Sequence, residues 1–259
     1  MTGDVEPAAI VAQLERAFAG WTAGEAGGAS AAPIRPAPPT PTRRRLIVVH
    51  VPGATQAVYR IGHLMPPARA DDWVEITIMN TILGGPAGWL TRVLREQKGY
   101  TYAAYSAAQE LSDHGSFAVR TAVRTAVADS ALGEVLRVLE RIRTEPMPAD
   151  DLTTVKNLWI GAFPLMIETP QQVATQVANT LRLGRSTDYL ETFRTRIAAL
   201  TPADIERVAR TYLHPDRAVI VVVGDARQLL EKLRPFADTV ELSDPSGRPL
   251  TPASLSGPE

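Results

Sequence analysis

Hydrophobic and polar positions alternate most regularly over residues 115–125. Phe117, Val119, Thr121 and Val123 fall on one face and Ala118, Arg120, Ala122 and Arg124 on the other, the pattern of a strand with one buried and one wet side. Residues 100–111 form the other member of this strand pair. Two earlier runs, 45–51 and 55–64, are strand-like and separated by Pro52-Gly53-Ala54, a turn signal. Near the end of the chain, 217–225 is a fully apolar strand and 239–243 a short last one.

Between the strands the spacing changes to that of helices. Residues 71–85 are apolar on most sides, with Asp71 or Asp72 as cap and glycine as terminator, and 88–99 make a short second helix. Over 129–144, Leu132, Val135, Leu136, Leu139 and Ile142 point inward. Further helices are predicted at 148–168, 170–184, 186–200, 201–213 and 226–236. In 201–213, Thr201, Pro202 and Asp204 supply a cap, a first-turn proline and an early acid. This order of elements predicts an α+β fold, a two-layer sandwich in which a mainly antiparallel sheet is covered by helices on one side.

The beginning of the chain differs. Ile10, Leu14, Phe18 and Trp21 lie on one stripe at helical spacing, with Asp4 available as cap and Pro7 in the first turn. Residues 22–42 are Gly/Ala-rich, then Pro-rich, and predict a linker whose second part is an extended strap. Gly3-Asp4 precedes this helix as Gly224-Asp225 precedes the helix at 226–236, so residues 1–21 are expected to be the closing helix of a preceding domain. The main domain is then 43–242, and 243–259 a loose C-terminal tail.

Composition narrows the function. The chain has 259 residues, 45% of them hydrophobic and 21% charged, with a formal net charge of −1. No overall basic field draws it to nucleic acid or anionic lipid. It has no cysteine, so disulfides, thiolate metal sites and thiol nucleophiles are excluded. The N-terminus lacks the basic and apolar regions of a secretory signal. The longest apolar run is far short of the roughly 20 residues that span a bilayer. No membrane partner and a cytoplasmic location are the expectation.

Local chemistry is sparse. His50, His63, His114 and His214 are far apart and form no His-x-x-Glu-His motif or its inverse, so each is read as a structural or surface imidazole. Residues 83–89, glycine-rich but following a helix, are read as a helix-to-helix turn. Arg43 to Arg45 read as a solvated edge. The doublets Asp71-Asp72 and Asp150-Asp151 begin helices, where carboxylates meet unsatisfied amides. Residues 94–102 stand out. Arg95 sits in a last helical turn, Gly99 breaks the helix, and Tyr100 and Tyr102 follow in what reads as a strand. Each feature alone has a structural explanation.

The order of elements around that segment changes its meaning. The runs at 54–62, 80–107, 134–143, 148–169 and 184–225 together resemble the second domain of a half of the pitrilysin/insulinase family of zinc metallopeptidases, which includes mitochondrial processing peptidase. The resemblance is collinear over roughly residues 43 to 235, and departs from the usual pattern at 84–90, where a Ser-Arg pair often precedes the leucine. It implies a processing-peptidase-like fold whose zinc motif belongs to a first domain. It also implies that an arginine and a tyrosine seven residues apart, here Arg95 and Tyr102, reach the zinc centre of the facing half. Tyr100 competes with Tyr102 for this role, because on a regular strand the two share a face.

The function so implied is that of a non-catalytic half of a pitrilysin-like zinc peptidase, which binds no metal itself and takes an extended peptide by strand addition to a sheet edge. Zinc is expected in a partner bearing His-x-x-Glu-His. Two alternatives follow from the same resemblance: a structural or assembly subunit without proteolysis, and a C-terminal fragment of a longer single-chain peptidase. An apolar surface facing the preceding domain is expected as well, with self-association as a homo-oligomer when the chain is isolated.

Overall fold

The computed structural model of the chain describes residues 3–21 and 39–256. The linker expected at 22–42 therefore lies, apart from residues 39–42, outside the described residues. Six strands form one sheet in the order β3-β4-β2-β5-β1-β6. They are β1 (Arg45–His50), β2 (Gln56–Met65), β3 (Ala104–Gln109), β4 (Gly115–Arg124), β5 (Val219–Gly224) and β6 (Thr239–Ser243). The pairs β3–β4, β4–β2 and β2–β5 are antiparallel, whereas β5–β1 and β1–β6 are parallel. The sheet is thus mainly antiparallel, in agreement with the α+β reading.

Burial alternates along the strands, and the buried side chains are apolar: Leu46 and Val48 on β1, Ala57, Tyr59 and Ile61 on β2, Val119 and Val123 on β4, Ile220 and Val222 on β5. Helices cover this face. They include α2 (Trp73–Gly84) against β3, α4 (Ala128–Thr144) against β4 and α9 (Ala226–Leu233) against β1. An outer layer of α5 (Ala149–Met166), α7 (Tyr189–Ala199) and α8 (Pro202–Tyr212) packs on α2. Being enclosed on both sides explains why α2 is apolar nearly all round, with Trp73, Val74, Ile76, Ile78, Met79, Ile82 and Leu83 buried. No helix among the described residues is long and apolar enough to cross a membrane.

Helix starts show where local signals hold and where tertiary contacts displace them. Thr201 and Asp204 make the reciprocal capping box expected at α8, and Thr169 with Gln172 makes another at α6 (Pro170–Arg182). Asp72 sits at the start of α2 without capping it. Its carboxylate instead accepts from Arg207 (2.8 and 3.1 Å) and from the Tyr212 hydroxyl (2.6 Å), tying α2 to α8. The bond from Arg207 holds Asp72 below the usual carboxylate range. Burial first, and Asp72 second, push the Tyr212 hydroxyl up to about 12. Arg44 is not a solvated edge residue: its guanidinium donates to the carbonyls of Pro215 (2.9 Å) and Phe236 (2.9 Å).

Two terminal expectations also change. Helix α1 (Pro7–Phe18) forms, but its N-cap is Glu6 instead of Asp4, and none of its residues is buried, so Leu14, Phe18 and Trp21 present an open apolar stripe. The stretch read as a loose tail is tied down as far as residue 256. Leu250 donates its N–H to Leu242 (2.8 Å), Ser243 bridges Pro249, and Leu255 joins the core.

His63 on β2 carries the clearest pH dependence. Its Nδ1 donates to the Leu64 carbonyl (2.9 Å) and its Nε2 accepts the N–H of His214 (3.2 Å), so both nitrogens are used by the neutral ring. Burial lowers its pKa to about 4; His214 and Arg217 nearby act in the same direction, while the Leu64 bond and Asp216 oppose it. The unfolded chain binds this proton below pH ~6.5 and the folded chain only below about 4. Stability from His63 is therefore complete above pH ~6.5 and lost progressively as pH falls toward 4, by up to about 3 kcal/mol. Urea unfolding between pH 7 and 4.5 should show a falling midpoint, and His63→Gln should remove most of that slope. An equal slope in the variant would assign it to other groups.

Candidate functional site

The site is built on a short helix with an irregular end. Helix α3 (Trp89–Thr91) runs directly into a π-helical turn, Arg92–Gln97, in which Lys98 N–H reaches back five residues to the Val93 carbonyl (3.1 Å). Leu90, Thr91 and Leu94 are buried and fix the inner side; Arg95 and the four residues after it are exposed. The end of α2, just before the turn at 85–88 that leads into α3, passes so close to the sheet that a Cβ on Gly84 would lie 2.1 Å from Ser106 N. Only glycine fits there. This confirms residues 83–89 as a helix-to-helix turn.

Asp151, near the start of α5, holds α3 from the other side. Its carboxylate accepts from Trp89 Nε1 (2.6 Å) and from Arg92 (2.9 Å). The Arg141 guanidinium lies 4.4 Å from the Trp89 ring centroid. A helix-start role for the doublet Asp150-Asp151 is thus too narrow: Asp151 is a tether between helices.

Past the π turn, Gly99 adopts φ +62°, and Tyr100 N–H bonds the Leu94 carbonyl (2.8 Å), closing the helix. Strand β3 begins only at Ala104. Residues 100–103 are an irregular connector held to β4 by hydroxyls. Thr101 Oγ1 donates to the Ala122 carbonyl (2.7 Å) and accepts from Thr121 Oγ1 (3.1 Å) and from Ala103 N–H (3.2 Å). A regular strand through Tyr100 and Tyr102 is therefore a wrong premise. Tyr100 packs partly buried against the core, whereas Tyr102 is 85% exposed.

The structure brings Arg95 and Tyr102 together. The Arg95 guanidinium lies 5.1 Å from the Tyr102 ring centroid, a cation–π arrangement that leaves the forked N–H donors and the phenol open to solvent. Tyr102 and Tyr100 line a cleft of about 670 Å³ on the helix-free face of the sheet. Its floor includes Val58, Arg60 and Arg120, with Tyr105 and Arg124 also at its walls. Sequence reasoning placed Arg120 and Arg124 on a wet face but gave them no role, and passed over Arg60 and Tyr105. Their proximity depends on the β2–β4 and β3–β4 registers.

The imidazoles do not suit zinc. His63 has both nitrogens engaged, and His50 Nδ1 accepts the Ala226 N–H (3.1 Å). Among the described residues no group of three or more His, Cys, Asp or Glu side chains could hold a metal ion.

Residues 1–158 match the protein family described as the peptidase M16 inactive domain. The chain belongs to that family. Zinc proteases are among the relatives of this M16 inactive domain. One from Streptomyces coelicolor, named an uncharacterized zinc protease, is 25% identical over 229 residues, covering 86% of this chain and 49% of the relative. The zinc protease PqqE of Helicobacter pylori is 24% identical over 179 residues, 68% of this chain and 40% of its own. The chain spans about half the length of the curated relatives it matches. Among solved structures, a protease from Helicobacter pylori superposes with a TM-score of 0.74 at 21% identity, over 86% of this chain and 54% of that one. A peptidase M16 inactive domain from Pseudomonas fluorescens gives a TM-score of 0.68 at 21% identity, over 72% of this chain and 45% of that one. Both of these curated relatives bear the name zinc protease.

Two stability outcomes separate the frame of this site from its exposed groups. Asp151→Ala leaves the Trp89 N–H without its acceptor and should cost about 1–3 kcal/mol in urea unfolding. Arg95→Ala and Tyr102→Ala should each cost under about 1 kcal/mol, the range of an exposed cation–π pair. A large loss in either would mean that the pair serves the fold.

Proposed function

We propose that this M16 inactive domain is the non-catalytic half of a zinc peptidase. It takes an extended peptide along the helix-free side of its sheet, and Arg95 and Tyr102 complete a zinc centre carried by a His-x-x-Glu-His-bearing partner domain or subunit. The observation that carries this reading is the Arg95–Tyr102 pair itself: mutually stacked, exposed, and with Arg95 in no ion pair among the described residues. The π-helical turn that presents Arg95 fits the frequent placement of such turns at functional sites.

Zinc held by the partner would supply Lewis acidity. Arg95 and Tyr102 contribute hydrogen bonds. A guanidinium stays charged and offers forked donors, and a phenol offers one more, so together they can hold substrate carbonyl oxygens without competing as bases. Such donors matter most where negative charge develops during peptide cleavage. Strand β3 supports peptide capture: among the described residues it is an edge strand paired with β4 alone, and its open edge can take a further strand through backbone hydrogen bonds.

The test uses the zinc-loaded assembly with the His-x-x-Glu-His-bearing partner and an internally quenched peptide. Arg95→Ala should lower kcat about 10²-fold to 10³-fold, the usual effect of removing one such donor, while sedimentation shows association unchanged. Tyr102→Phe, which keeps the ring beneath Arg95 and removes only the hydroxyl, should also lower kcat. Wild-type turnover in Arg95→Ala would refute the assignment.

A further inference from the structure

Arg92, Arg143 and Arg185 each have a shielded Nε without a hydrogen bond, and each is balanced by a carboxylate: Asp151, Glu140 and Glu110 respectively. Arg120 also has a shielded, unbonded Nε but makes no ion pair among the described residues. Directly opposite it in the β2–β4 register stands Arg60, and its neighbour across β3–β4 is Tyr105. Arg124 lies four residues further along β4, on the same face. No acidic residue lines the cleft these side chains share.

Like charges directly opposite on paired strands destabilise a sheet. Here the repulsion is left uncompensated, on an open face, beside tyrosines that can contribute both ring contact and hydroxyls. We infer that the cleft is a binding site for the carboxylates of an acidic peptide segment, read by Arg60, Arg120 and Arg124. The inference rests on the proposed reading of the cleft as peptide-binding, and names the substrate class.

Geometry narrows the peptide further. Arg120 and Arg124 are about 13 Å apart along an extended strand, at roughly 3.3 Å per residue. A peptide lying over this open face, extended and parallel to β4, places side chains at i and i+4 over that distance and on one face. Acidic residues at those two positions match both arginines, while Arg60 reinforces the site opposite Arg120. Guanidinium–carboxylate pairs are the forked, charge-assisted kind.

The test is fluorescence anisotropy on the 259-residue chain with three labelled probes: an extended peptide carrying Glu at i and i+4, the same peptide with Gln, and a single-stranded DNA of similar length. At about 50 mM salt, where screening is modest, the Glu peptide should bind about tenfold more tightly than the Gln peptide and lose affinity as salt rises. The double variant Arg60→Gln/Arg120→Gln should abolish that preference, and Arg234→Gln on the helical side should retain it. Unfolding of the double variant at wild-type or higher urea concentration supports the inference, since it removes a like-charge pair. Equal binding of Glu and Gln peptides overturns the acidic specificity and leaves the peptide reading standing. Failure of both peptides to bind overturns the two together, and tighter binding of the DNA assigns the cleft to another class of ligand.

Discussion

The helices of this chain cover one face of a six-stranded sheet, and alternating apolar residues on β1, β2, β4 and β5 hold them there. That asymmetry governs the rest. On the covered face β1, β2, β4 and β5 offer mainly branched or aromatic side chains to the helices, and the alternation of two residues sends the intervening side chains to the opposite side. Arg60, Arg120 and Arg124 face outward for the same reason that Tyr59, Ile61, Val119 and Val123 face inward. The core and the cleft are two sides of one register.

The exposed pair at the cleft is positioned by rigid neighbours. Leu90 and Leu94 anchor the short helix, Asp151 binds it to α5, and the hydroxyls of Thr101 and Thr121 fasten the connector to β4. Arg95 and Tyr102 can then stay open to solvent while their backbones are fixed. Stacking on the tyrosine restrains the long arginine side chain without using up its donors. Such an arrangement suits groups that act on something outside the chain, which is the basis for reading this M16 inactive domain as the complement of a catalytic partner.

Tertiary contacts repeatedly take over side chains that local rules would assign to helix ends. Asp72 and Asp151 both occupy first turns, where the helix dipole favours an acid. Each spends its carboxylate on a neighbouring element: Asp72 on Arg207 and Tyr212, Asp151 on Trp89 and Arg92. A hydrogen bond to a charged partner is worth more than the dipole of one exposed turn. Thr201 and Asp204, which have no such competing partner, form the local capping box instead.

The sequence by itself determined the elements and the one-sided sheet, because periodicity, caps and glycine breaks are encoded by near neighbours in the chain, and the order of those elements carried the family resemblance, which alone singled out Arg95 and Tyr102. It could not determine that β3 starts only at Ala104 and so separates Tyr100 from Tyr102, since the hydroxyl bonds that replace the strand there join residues some twenty positions apart. Nor could it show that Arg60 stands opposite Arg120, or that Pro249 and Leu250 fold back on β6. Those outcomes depend on register and packing between distant segments, and only the tertiary structure decides which side chains meet.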